Sequence, residues 1–262
     1  AKIKDTIFEN NLRIVKDRSL EDKLLEYMTT ILGLDDVDGY KGLGRLMEAY
    51  KPISTLYNVG GDLCHGDSNL NNLIVKDGIF YFLDPKLKMR HGLTDLAHVI
   101  AGLGPEFAED HWGEFLETYL KSYIESNFEA QGLELTQGNI SRKVISLFNI
   151  LGLENGGEPQ INLAEKGRSN ASKVLYMAVI HQSLRGLAKD CALKRFFPEK
   201  YKWNLENRSP YFGEESEMTM KRNISSALNK LITSPKDFLL REDEPEQLKR
   251  LREIFKESSI VA

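Results

Sequence analysis

Residues 73 to 83 read Leu-Ile-Val-Lys-Asp-Gly-Ile-Phe-Tyr-Phe-Leu, and they leave little freedom to the chain around them. Two β-rich runs flank Asp77-Gly78, a dipeptide that tolerates the positive φ of a two-residue hairpin turn. Pairing Lys76 with Ile79 across the turn sets the register. Asn72 then falls opposite Leu83, with Asp84 one step beyond, so the two meet at the open end of one hairpin. An amide oxygen beside a carboxylate is a hard-oxygen pair, suited to Mg²⁺ carrying phosphate. Asp67 lies just upstream, where it can face whatever such a phosphate is transferred to.

The octapeptide leading into the hairpin, His65-Gly66-Asp67-Ser68-Asn69-Leu70-Asn71-Asn72, has the skeleton H-x-D-x-x-x-x-N. Protein kinases use that spacing in a loop whose Asp is the base and whose Asn holds magnesium. Together with Phe82-Leu83-Asp84 and Asp95-Leu96-Ala97, it resembles the aminoglycoside phosphotransferase and choline kinase superfamily of small-molecule kinases. Asp84-Pro85-Lys86 is similar to the D-P-R form of some bacterial sugar-kinase-like and capsule-associated members. The motifs cover roughly residues 60 to 104. The resemblance implies a protein-kinase-like fold, Asp67 accepting or orienting the acceptor hydroxyl, and Asn72 and Asp84 holding metal. It also implies that the Asp95 carboxylate supports the loop backbone.

Each position has a plainer reading. Asp67 could cap a turn, and Asn72 could be a strand-entry residue. His65 fits packing and hydrogen-bonded support better than proton transfer. Thr94 suits an N-cap and Asp95 the first turn of the helix after it. The spacing of Asp67, Asn72 and Asp84 as a set favours the chemical reading.

The residues before His65 lack what a nucleotide-binding lobe requires. Ser19 to Leu34 reads as a helix, with Leu20, Leu24, Leu25, Met28, Ile31 and Leu32 on one broad face and Gly33 as a stop. Lys4 to Val15 and Leu43 to Tyr50 read as shorter helices. The Gly-rich stretch 39–44 lacks phosphate-loop spacing and a preceding strand, so it reads as a turn. No strand lysine of the kinase type is evident. The expectation is a large lobe without its small lobe, either because an upstream lobe belongs to a longer protein or because nucleotide binding was lost or rebuilt. A first residue that is Ala rather than Met fits a trimmed chain.

After Asp84 comes a basic run, Lys86, Lys88, Arg90 and His91, where protein kinases carry an activation loop. It reads either as a solvated loop or as an anion site in which Lys86 or Arg90 contacts a phosphate. Beyond Gly104 the pattern is helical: Phe107 to Phe128, Asn170 to Asp190, Met218 to Ile232 and Glu244 to Phe255. Gly152 to Gln160 reads as a surface loop, and Arg195 to Tyr211 as an aromatic, turn-rich cover or binding surface. His181 and Arg185, four apart on one helix face, could contact a substrate but read more simply as structural. A net charge of −4 without a basic stripe argues against a nucleic-acid binder. Two cysteines, Cys64 within an apolar run, suit free thiols in a reducing cytosol. No apolar run approaches membrane-spanning length.

The expected fold is mainly α with a small β-hairpin, a protein-kinase-like C-lobe with the N-lobe absent or truncated. It occupies residues 1–262 as one unit: a helical part at 1–58, the loop, metal hairpin and D-L-A helix start at 59–104, and a helical, acceptor-binding part at 105–262. The expected activity is transfer of the γ-phosphate of Mg-ATP, or another NTP, to a hydroxyl of a small molecule, led by a sugar or glycan precursor. The alternatives are a non-catalytic kinase-like scaffold and a protein kinase. The expected location is the cytoplasm.

Overall fold

The structure is a computed structural model that describes residues 26–31, 43–57, 62–103, 109–130, 160–208 and 213–261. Residues 26–31 are helical, within the helix expected at Ser19 to Leu34. The remainder of that helix, its Gly33 stop, the Lys4 to Val15 helix, the Gly-rich stretch 39–42 and the loop at 152–159 lie outside the described residues.

Helix α1 (Leu43–Tyr57) buries Leu46, Ala49, Tyr50 and Ile53, a stripe at helical spacing, and continues through Pro52 past the expected end at Tyr50. Strand β1 (Asp62–Cys64) leads into the His65 loop. A 3₁₀ turn at Leu70–Asn72, capped by the Asn69 side chain accepting from the Asn71 N–H at 3.0 Å, delivers the chain to strand β2 (Leu73–Lys76). Strand β3 (Ile79–Phe82) returns antiparallel with Lys76 opposite Ile79, the register expected from the sequence. Asp77 and Gly78 both take positive φ, 52° and 74°, as a type I′ turn requires.

One ribbon was not legible in advance. Strand β4 (Lys88–Arg90) pairs antiparallel with β1, Cys64 facing Lys88 and Asp62 facing Arg90. The basic run is therefore partly a strand. Gly66 sits at φ +78, and a Cβ there would lie 3.0 Å from Cγ of Lys88, so the Lys88 stem lies directly over the glycine. Helix α2 (Leu93–Gly102) follows. Thr94, expected as its N-cap, lies inside the helix instead. The N-cap residue is Gly92, and just before it Nδ1 of the buried His91 ring accepts from the Leu93 N–H at 3.2 Å. Asp95 stands in the first turn, as expected.

Helix α3 (Trp112–Ala130) begins after a 3₁₀ turn, with Trp112 and Leu116 buried. Helix α4 (Gln160–Phe196) runs 37 residues, about 55 Å at helical rise, and far exceeds the expected Asn170 to Asp190. Its middle, from Ala171 to Leu187, is buried on nearly every side, which makes it the central element. It packs against α2 and against α6 (Glu214–Thr233). Helix α5 (Pro198–Arg208) occupies the segment expected to be turn-rich, and its neighbourhood exposes Phe196, Phe197 and Trp203. Helix α7 (Glu244–Glu257) buries Leu248, Leu251 and Phe255 against α1 and α6.

Two polar contacts pin α4 in place. Tyr50 Oη and His181 Nδ1 share a buried hydrogen bond of 2.6 Å, which gives His181 a structural role. Lys173 donates to Glu244 at 2.7 Å, both side chains almost fully buried. The fold is thus mainly helical with two small antiparallel ribbons. No helix among the described residues is long and apolar enough to cross a membrane. Cys64 and Cys191 are both free thiols.

The β2–β3 hairpin contrasts with this packing. Ile74, Val75, Ile79, Phe80, Tyr81 and Phe82 are all exposed, although alternate residues of a strand point to opposite faces. Neither face of the hairpin is buried.

Candidate functional site

The His65–Asn72 loop is held by one carboxylate. Asp95, from the first turn of α2, accepts from the His65 N–H at 2.7 Å, the Gly66 N–H at 3.1 Å and the Ser68 hydroxyl at 3.0 Å. Ser68 also donates to the Asp95 carbonyl at 2.9 Å. Charge-assisted bonds of this kind are about twice as strong as neutral ones. They fix a backbone that the positive φ of Gly66 has turned sharply.

Asp67 stands at the centre, only 8 % exposed. Nζ of Lys86 lies 2.6 Å from its Oδ2, Nη2 of Arg185 lies 3.6 Å from its Oδ1, and Asn69 donates to Oδ1 at 3.1 Å. Burial pushes the Asp67 carboxyl up. The hydrogen bond and charge of Lys86, with the charge of Arg185 and the Asn69 amide, outweigh burial and leave it below its ordinary value. Asp67 is therefore an ionised acceptor throughout the neutral range.

Asn72 donates through Nδ2 to the Asp67 carbonyl at 2.9 Å, which fixes the orientation of the amide. The Leu83 N–H donates to the Asn72 carbonyl at 2.7 Å, extending the hairpin ladder by one pair. Asp84 follows immediately, at the base of the hairpin beside Asn72, with its side chain exposed and φ +54. That left-handed turn, which Asp tolerates, swings Pro85-Lys86 back over the loop. The Lys86 N–H reaches the His65 carbonyl at 2.8 Å, and its ammonium reaches Asp67. Leu87, at φ +35, completes the reversal in a conformation unfavourable for its side chain.

Asn72 and Asp84 fit a magnesium ion in donor chemistry: two hard oxygens, with the other positions left to phosphate and water. Among the described residues there is no group of three or more His, Cys, Asp or Glu that could hold a metal. Any ion here would be shared with a ligand, which is how magnesium is ordinarily bound.

His65 is partly buried. Its Nδ1 accepts from the Asp67 N–H at 3.3 Å, and its ring lies 5.5 Å from that of Phe82, while Nε2 has no hydrogen-bond partner. The ring braces the loop against the hairpin. Arg90 lies on β4 with its backbone paired to Asp62, and its side chain is outside the described part of the structure. Compared with protein-family models, curated proteins and solved structures, the chain matches none of them.

Two further residues reach this site from α4. Arg185, and Lys189 one turn later, line a cavity of about 120 Å³ together with Asp67, Asn69 and Asn71. Arg185, read with His181 as structural, instead meets Asp67 at 3.6 Å, and no motif ties Lys189 to the loop. Their spacing of four residues was the signal, and only the crossing of α4 beneath the loop gives it meaning.

Proposed function

We propose that the chain is the large lobe of a protein-kinase-like phosphotransferase that moves the γ-phosphate of a Mg-nucleotide to a hydroxyl of a small molecule. One observation carries this reading. The Asn72 amide hydrogen-bonds the Asp67 carbonyl, and the hairpin that starts at Asn72 ends at Asp84. Asp67, Asn72 and Asp84 thus follow one another along a single short stretch of chain, which supports this division of roles.

The residues divide the work as follows. Asp67, ionised and buried, faces the acceptor hydroxyl. Asn72 and Asp84 would hold Mg²⁺, which supplies neutralisation of phosphate charge when bound. The acceptor oxygen forms a bond to the γ-phosphorus while the bond to the β–γ bridging oxygen breaks. The nucleoside diphosphate leaves, and the acceptor proton passes to Asp67 or to water. Lys86 is placed to exchange its partner from Asp67 to the incoming phosphate, because its side chain remains about half exposed. Positioning and charge neutralisation supply most of the acceleration in such chemistry, so few side chains suffice.

The test is calorimetric binding of ATP with and without Mg²⁺, in the wild type and in Asp84→Ala. Magnesium-dependent binding that the substitution abolishes is the expected result. Binding that ignores both magnesium and Asp84 would sink the proposal and leave a kinase-like scaffold.

A further inference from the structure

Asp67 is held by two cations that come from unlike parts of the fold. Nζ of Lys86 lies 2.6 Å from Oδ2, and Nη2 of Arg185 lies 3.6 Å from Oδ1, where the Asn69 amide also donates at 3.1 Å. Lys86 stands on the exposed reversal between Asp84 and Leu87, both at positive φ, and its side chain is about half exposed. Arg185 stands on the buried middle of α4, with Leu184 and Leu187 buried close by in the same helix. One turn before it, Tyr50 pins His181 through their 2.6 Å hydrogen bond. The guanidinium also donates to the Gln182 side chain at 3.5 Å. Asp67 itself belongs to the loop that Asp95 braces from α2, and α2 packs on α4. The Arg185 contact is therefore set between packed helices, whereas the Lys86 contact depends on an exposed turn.

The two contacts differ in strength as well. The ammonium makes a short, charge-assisted hydrogen bond. The guanidinium, at 3.6 Å, makes a charge contact longer than a hydrogen bond. A movement of about 1 Å would bring it to the distance of a charge-assisted bond. A carboxylate as buried as Asp67 loses its nearer countercharge only at a large cost, unless a second cation takes over. Among the described residues, Arg185 is the other cation in ion-pair contact with it.

We infer that Arg185 is a positioning residue for Asp67: when Lys86 turns from Asp67 to phosphate, Arg185 closes on Oδ1 and holds the carboxylate in place. This rests on the phosphotransferase reading, in which Lys86 makes that exchange, and it assigns the residue that lets the exchange happen. No covalent bond forms or breaks in the handover, because one ion pair strengthens as another is given up. The acceptor hydroxyl then meets a carboxylate that is still charged and still oriented. Helix α4, which carries none of the loop's motif residues, thereby takes part in the reaction through Asp67.

A mutant cycle on the full chain tests it, read by urea unfolding at neutral pH and separately by phosphate release from Mg-ATP with water as acceptor. Lys86→Met and Arg185→Gln are made singly and together, with Arg185→Lys as the conservative variant. Each single variant leaves Asp67 one cation, so its unfolding midpoint is expected to fall little. The double variant strands the buried carboxylate, and its midpoint should fall by at least about twice the sum of the single shifts. Adding Asp67→Asn to the double variant should restore most of that excess. Additive shifts, or an excess that Asp67→Asn leaves in place, overturn the inference. In turnover, Arg185→Gln is expected to lower kcat about tenfold with KM for Mg-ATP within about twofold, and Arg185→Lys to recover most of kcat. An unchanged kcat, or an Arg185→Lys variant as slow as Arg185→Gln, overturns it as well. A non-additive cycle relieved by Asp67→Asn, in a protein that neither binds Mg-ATP nor releases phosphate, would uphold the hold of Arg185 on Asp67 and overturn the phosphotransferase reading instead.

Discussion

Nζ of Lys86 lies 2.6 Å from Oδ2 of Asp67, and this contact sets the charge state of the carboxylate. Without Lys86, the opposing effect of burial would act on Asp67 with only Arg185 and Asn69 to resist it. Lys86→Met is therefore expected to raise the Asp67 pKa. The sign for stability follows. A depressed folded-state pKa gives stability that is present above the ordinary carboxylate range and lost as pH falls through the depressed value. The variant should lose that acid tolerance first. Carboxyl chemical shifts followed through a pH titration of both proteins check it, and an unchanged Asp67 midpoint would refute it.

Asp95→Asn tests the brace beneath the loop. The carboxylate accepts from two backbone N–H groups and a hydroxyl. An amide keeps one acceptor oxygen and turns an NH₂ toward a donor. A loss of about 2–3 kcal/mol in unfolding free energy is expected, the range for a buried donor losing a charged acceptor. Urea unfolding measures it, and a midpoint shift near zero would mean the loop is held by other contacts.

Lys173 and Glu244 form an almost fully buried pair, and Glu244 also accepts from the Arg241 N–H at 2.8 Å. Lys173→Met should destabilise by about 3 kcal/mol, because the buried Glu244 carboxylate then keeps only the more exposed Arg241 guanidinium, 3.3 Å from Oε1, as a countercharge. Combining it with Glu244→Gln keeps an acceptor for the Arg241 N–H and removes the under-compensated charge, so much of the loss should return. Thermal melts of the single and double variants decide. A double variant no better than Lys173→Met alone would show that the pair's value is its attraction rather than its desolvation.

At Gly186, α4 packs against Met220 of α6. A Cβ there would overlap the sulfur of Met220, which lines the cavity. Met is adaptable, so Gly186→Ala should cost only about 1 kcal/mol while displacing the thioether. A crystal structure of the variant would show where the side chain goes, and a loss well above that figure would mean that it cannot move.

The short-range parts of this protein were written plainly in its sequence. The hairpin, its register and the first-turn position of Asp95 all follow from contacts within a few residues, where turn chemistry and alternation decide the outcome. The β1–β4 ribbon was missed because three-residue strands carry no periodic signal, and their pairing spans the whole loop and hairpin. The segment after Phe197 is helical despite its aromatic, turn-like composition, since Pro198 at a helix start is favourable rather than disruptive. Arg185, read as structural beside His181, meets the site for a different reason. Nothing local marks a residue that meets Asp67 across more than a hundred positions.

The exposed hairpin has a consequence for how the site behaves in time. A two-stranded hairpin without a buried face is marginal by itself, and Val75 and Phe80 are 59 % and 64 % exposed. The amides of β2 and β3 should therefore exchange with deuterium through local opening long before those of α4 do. Asn72 and Asp84 ride at the base of this ribbon, whereas Asp67 belongs to the loop braced by Asp95. The two halves of the site thus differ in cooperativity. On the proposed magnesium reading, free energy spent on ordering the ribbon would be subtracted from the apparent affinity for the ion, and whatever stiffens the ribbon would return it.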